Sequence, residues 1–166
     1  MKRQLGIALV CLLTAFSTAV LADGSKIGVV DLQKIMQTSD DVKTIQATLE
    51  EKFKPRRDKI MGMEADLKKD MEAFKRDSSV LSQAKRKELE QKIMMAQQTF
   101  EQQGQQYQQE LSAAHNEAME KFYDKIRAAI AKVAEAEKYD LVFQKDAAPF
   151  SVDKLDVTSK VIKAVQ

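Results

Sequence analysis

The chain has 166 residues, with 27 Lys and Arg against 25 Asp and Glu and a formal net charge of +2. That length suits one domain with an elaboration and not two full domains. The near balance of charge excludes a strongly basic nucleic-acid binder, and a lone cysteine, Cys11, excludes a disulfide framework.

Lys2 and Arg3 lead into an apolar run over 5–16, and small residues follow over 17–22. The pattern predicts a secretory signal peptide over 1–22, cut after Ala22, because the run is short of the roughly 20 residues a membrane span needs. Val10 stands before Cys11 where a lipoprotein signal wants a small residue, so lipidation is not expected. The chain from Asp23 to Gln166 has 25 basic and 25 acidic residues, a net charge of zero, and no cysteine. Thiol catalysis and Cys-ligated metal are therefore excluded for it.

Ile27, Gly28, Val29 and Val30 form a short, mostly β-branched run that predicts a buried strand. Asp31 is placed to cap the helix that follows.

Residues 42–136 read as helix almost throughout, with Pro55, Gly62 and Gly104 as the only Pro and Gly. In the first arm the apolar positions are Val42, Ile45, Leu49, Phe53, Ile60, Met63, Leu67, Met71 and Phe74, with Arg56 in the one skipped slot. The second arm repeats the pattern from Leu89 through Ile93, Ala96, Phe100, Tyr107, Leu111, Ala114, Ala118, Phe122, Ile126 and Ala129 to Val133, with Gln103 in its gap. Steps of three and four residues mark one apolar stripe per helix. The polar cluster at 77–82 carries turn and cap residues, which predicts the tip of an antiparallel hairpin. An arm of this length reaches about 65 Å at 1.5 Å per residue. Pro55 is expected to kink the first arm. Met63 and Met71 are assigned to the seam between the arms.

Residues 139–143 predict a second strand, 145–146 a turn, and 148–150 a short edge strand in which Pro149 is tolerated. A last helix is expected over 159–165, capped by Asp156 or Thr158. Segments 23–41 and 137–166 thus form a small α/β head from which 42–136 project. Two or three short strands do not stand alone, so the head is expected to oligomerise through Ile27, Val29, Val30, Leu141, Val142 and Phe143.

Charge is unevenly placed. From Lys52 to Lys92 there are 13 basic and 8 acidic residues. Lys68, Lys69, Lys75, Arg76, Lys85, Arg86, Lys87 and Lys92 flank the tip and are candidates for capturing acidic clients or an anionic membrane lipid surface. Met61, Met94 and Met95 lie off the main stripes, so they are candidates for adaptable apolar contact. The Gln-rich tract over 97–109 keeps the helical step of Phe100 and Tyr107 and reads as an uncharged helix face. His115 stands without a second histidine, and no Gly-rich phosphate loop occurs, so no metal, cofactor or catalytic residue is assigned.

Three segments carry a resemblance: 26–35 (KIGVVDLQKI), 95–100 (MAQQTF), and 139–142 (YDLV) with a later Asp156-Val157-Thr158. In order and spacing, together with the signal peptide, they resemble the Skp/OmpH family of periplasmic chaperones. The resemblance implies a mostly α trimer whose strands join in a β-rich body and whose helical hairpins surround a cavity. It implies an ATP-independent holdase for unfolded outer-membrane proteins, not an enzyme. Lipopolysaccharide-binding basic residues proposed in the family would fall at Gln103, Ala113 and Ala114 here, so that site is not carried over. A structural coiled-coil spacer of the cell envelope is the alternative, and it would want a tighter heptad seam and an anchor.

Overall fold

The computed structural model describes residues 24–165, so the expected signal peptide lies outside the described residues. The described chain is mostly helical with one small sheet. Strand β1 (Ile27–Val30) pairs in parallel with β2 (Leu141–Gln144), in register from Ile27 opposite Leu141 to Val30 opposite Gln144. Val29 also bridges Asp156, and the Val157 amide donates to the Val29 carbonyl at 2.8 Å. Both edges of β1 are therefore used. That is why Gly28, Val29 and Val30 are buried, while β2 keeps a free edge and is largely exposed.

Helix α1 (Leu32–Thr38) starts where Asp31 accepts from the Lys34 amide at 2.9 Å. Ser39 ends it and in turn caps α2 (Asp40–Asp77), whose first turn carries Asp40 and Asp41 where the helix dipole favours anions. The tip follows at 78–82. Ser82 accepts from the Lys85 amide at 3.3 Å and opens α3 (Gln83–Glu137). Helix α2 runs through Pro55 without ending. The backbone acceptor that Pro55 leaves unpaired lies at Glu51, on an exposed stretch where water can satisfy it.

The two arms run antiparallel for their whole length. Lys125 meets Asp41 at 2.7 Å, Phe53 meets Tyr107, Arg56 meets Glu110, Lys92 meets Asp70 at 2.7 Å, and Arg86 donates to the Ser78 carbonyl at 3.0 Å. Each step up one arm is matched by a step down the other. Apart from Met71, the α2 stripe residues are at least partly covered, but only Phe53 of α2 is buried. Two helices alone can cover only one narrow face of each other.

The core lies instead where the chain returns to its start. Val30, Ile35, Phe122, Ile126, Ala129, Val133, Val157, Val161 and Val165 form one buried cluster. It is closed by α4 (Thr158–Val165), which packs on the end of α3 and on α1. Asp156 supplies the cap, its carboxylate accepting from the Thr158 amide at 2.8 Å, while the Thr158 hydroxyl accepts from the Asp31 amide at 2.9 Å. Lys138 ends α3 in the left-handed region, at φ 58°, with its amide on the Ala134 and Glu135 carbonyls. Gly28 sits in a close-packed spot, where a Cβ would lie 3.3 Å from Val157 and 3.4 Å from the Tyr139 ring, so a larger residue would make these side chains shift.

Two expectations are corrected. Residues 148–150 form no strand. Short 3-10 turns at Lys145–Ala147 and Asp153–Leu155 instead carry Asp156 back to β1, and residues 148–150 lie in the irregular link between them. Met71 does not sit in the seam. It is exposed, because the arm has no further layer to cover it.

Candidate functional site

The outer half of the hairpin carries an apolar groove of 720 Å³ along one face. Leu67, Met71 and Phe74 of α2 and Ile93 and Met94 of α3 form its floor. Glu64, Lys68, Glu72, Lys75, Glu90 and Gln97 line its rim. Leu67, Met71, Phe74 and Ile93 of the two stripes supply most of the floor, and Met94, beside the second stripe, widens it. The Asp70–Lys92 pair holds the two arms level beside it.

Methionine dominates the exposed apolar surface of this half. Met61 is 60%, Met71 51%, Met94 63% and Met95 66% exposed. Of the three methionines singled out from sequence, Met94 lines the groove and Met61 and Met95 do not. Met71, assigned to the seam, is the groove residue that the sequence reading missed. The signal available was its place near the tip, where a two-helix seam loses its flanking support.

The basic residues around the tip divide into two sets. Arg76 is bound to Asp77 at 2.9 Å, a hydrogen bond that raises the guanidinium pKa and lowers that of the carboxyl. Lys85 pairs with Glu88 at 2.9 Å, Lys92 with Asp70, and Arg86 with the Ser78 carbonyl. Lys68, Lys69, Lys75 and Lys87 form no ion pair among the described residues, so their charge is the part open to a visitor. Lys68 and Lys75 border the groove, which places attraction for anions beside an apolar floor. Val80, at the tip itself, is also exposed.

Midway along the arms, Arg56 reaches Glu110 between two shallow clefts. This explains the charged residue in an apolar slot of the first stripe, since its partner comes from the other arm. At the base a second cavity of 990 Å³ lies between α1 and α3, with Met36, Met119, Tyr123 and Ile130 among its lining residues. The Tyr123 hydroxyl donates to the Met36 sulfur at 3.2 Å across it.

The residues assigned to oligomerisation separate by position. Val29 and Val30 are buried within their own chain, Ile27 and Val142 are partly covered, and Leu141 and Phe143 face outward from β2. Phe150 and Val152 extend this exposed apolar surface. No group of three or more His, Cys, Asp and Glu side chains is arranged to hold a metal ion among the described residues. No helix among them is long and apolar enough to cross a membrane.

Comparison with known proteins gives a consistent picture. Residues 26–165 match the family model described as Outer membrane protein (OmpH-like). The chain is 31% identical to Chaperone protein Skp of Yersinia enterocolitica over 166 residues, covering 100% of both chains. It is 32% identical to Chaperone protein Skp of Escherichia coli K12 over 153 residues, 92% of each. Among solved structures, an OmpH-like outer membrane chaperone from Caulobacter crescentus CB15 superposes with a TM-score of 0.76, covering 99% of this chain and 89% of that one. At 16% identity, this last likeness concerns the fold alone.

Proposed function

The chain belongs to the OmpH-like family of outer membrane proteins, the Skp/OmpH family, and from that premise we propose that it is an ATP-independent periplasmic holdase for unfolded outer-membrane proteins. The observation that carries the reading is the apolar groove of the outer hairpin, open to solvent and floored by Met71 and Met94. A soluble hairpin gains nothing from leaving such a surface bare, whereas methionine side chains suit partners of varied shape. Lys68, Lys69, Lys75 and Lys87 attract acidic or anionic partners to it, and the apolar floor then retains them. The work is binding and release, with no bond made or broken.

In this reading the signal peptide is removed after Ala22 and the base forms the oligomerising head, as a trimer joined through the outward face of β2. The arms then surround a shared cavity that keeps a client's strand edges from pairing with other chains. The direct test dilutes a urea-unfolded outer-membrane barrel protein into buffer, with and without this protein and with no nucleotide. Light scattering should fall to a low plateau as the protein approaches stoichiometric amounts. Scattering that is unchanged by excess folded protein overturns the proposal.

A further inference from the structure

Met71 and Met94 come from different arms and open into the same groove, while the described residues contain no cysteine at all. Thioethers are therefore the only oxidisable sulfur in the described chain. We propose that Met71 and Met94 form an oxidation site that reversibly switches this groove off. The inference rests on the groove being the surface that holds clients.

The oxidant required is an oxygen-atom donor that accepts two electrons, such as a peroxide. A lone pair on the methionine Sδ attacks one peroxide oxygen. The S–O bond forms, the O–O bond breaks, and the departing oxygen leaves as water with both protons. Sulfur is oxidised by two electrons and the peroxide is reduced by two. Reversal needs a thiol reductant acting through an enzyme of the methionine sulfoxide reductase class.

Selectivity follows from position. Met36 and Met63 are partly covered, and Met36 also accepts a hydrogen bond from Tyr123. Met119 is partly covered beside α1. Met71 and Met94 stand open, as do Met61 and Met95, but the last two line no groove. They oxidise readily and serve as built-in controls.

The consequence follows from the floor around them. Leu67, Phe74 and Ile93 have no donor to offer a sulfoxide oxygen. An apolar client side chain seated there would strip water from that oxygen without replacing its hydrogen bonds. Because both residues are already exposed, the hairpin itself need not part. Client affinity should drop on the order of tenfold per sulfoxide while the helices stay intact.

The experiment exposes the intact protein to hydrogen peroxide in steps. It follows each methionine by peptide mass mapping, helicity by circular dichroism, and affinity for an unfolded outer-membrane barrel protein. Met71 and Met94 should oxidise before Met36, Met63 and Met119, with helicity kept and affinity lost, and sulfoxide reductase should restore binding. Each variant is compared with its own untreated affinity: peroxide should cause no further loss in Met71→Leu/Met94→Leu, whatever its starting value, whereas Met61→Leu/Met95→Leu should lose affinity as the wild type does. The proposal is overturned if Met71 and Met94 react no faster than Met63, or if the groove leucine variant loses binding equally. If untreated protein binds no client, the holdase reading falls and the switch with it. The order of oxidation, read by mass alone, still judges the site.

Discussion

Phe53→Ala should loosen the middle of the hairpin while leaving the base folded. Phe53 is 5% exposed and is the only fully buried side chain of α2. Its ring meets Tyr107 edge-on, with centroids 6.0 Å apart and planes at 77°. Truncating a buried Phe costs about 3–5 kcal/mol, and the lower end applies here because half-exposed neighbours can close part of the gap. The aromatic pair, worth roughly 0.5–1.5 kcal/mol, is lost within that figure. A local loss of about 3 kcal/mol raises the open population on the order of a hundredfold. Native-state hydrogen exchange by mass spectrometry reads this directly. Peptides covering 48–60 and 100–112 should exchange faster by that factor, while peptides from 120–136 and 158–165 hold their protection. A change below about threefold in the middle peptides, under 1 kcal/mol, would refute the reasoning. So would an equal change at both places, which would mean that arm and base open as one unit.

Val30→Asp puts an unpaired charge into the core and should abolish the cooperative thermal transition. Leu141→Asp with Phe143→Asp should instead leave the protomer folded and lower its sedimenting mass, and an unchanged mass would remove β2 from the interface. Replacing Lys68, Lys69, Lys75 and Lys87 by Glu should leave the melting temperature within the small range of surface changes. It should also slow capture of an acidic unfolded client at low salt, an effect that stopped-flow mixing would lose as salt rises. The Asp31 carboxyl is held below its ordinary 3.8, first by the hydrogen bond from the Lys34 amide. Partial burial pushes Asp156 up, but its hydrogen bonds from Thr158 outweigh that and lower it as well. Both groups thus contribute stability above pH 3.8 that is lost as pH falls through their lowered folded values, so melts should be flat near neutrality and decline below about pH 4. Lys138→Gly relieves a left-handed residue and should stabilise by about 1 kcal/mol in a urea titration.

The helices were legible because their signal is local and repeated. Steps of three and four residues mark, Met71 apart, positions that are at least partly covered, and Asp31, Ser39 and Ser82 cap the helices by side-chain chemistry visible in a few residues. The sheet was legible only as two β-branched runs. Its parallel register joins residues more than a hundred positions apart, and no local pattern encodes that. The same distance hides the Val29–Asp156 bridge. Half of the groove was visible as off-stripe Met94. Met71 was not, because spacing tells which face a residue shares but not whether anything covers that face. The pairing of Lys92 at the tip and of Arg56 midway also escaped, since Asp70 and Glu110 answer them from the opposite arm.

The parallel pairing of β1 with β2 has a consequence for how the molecule is made. Everything between the two strands is a single crossover, so β1 must wait for a partner more than a hundred residues away. The hairpin can zip from its tip with neighbouring residues only, whereas the base closes over the longest loop and is slower to form. The waiting strand is open to the β2 of another copy, which offers the same four-residue register. Exchange of strands between copies would reproduce every backbone bond of the closed form, so the outcome would turn on concentration alone. Slow dilution should favour the closed protomer, and crowded refolding should give strand-exchanged assemblies with native helicity.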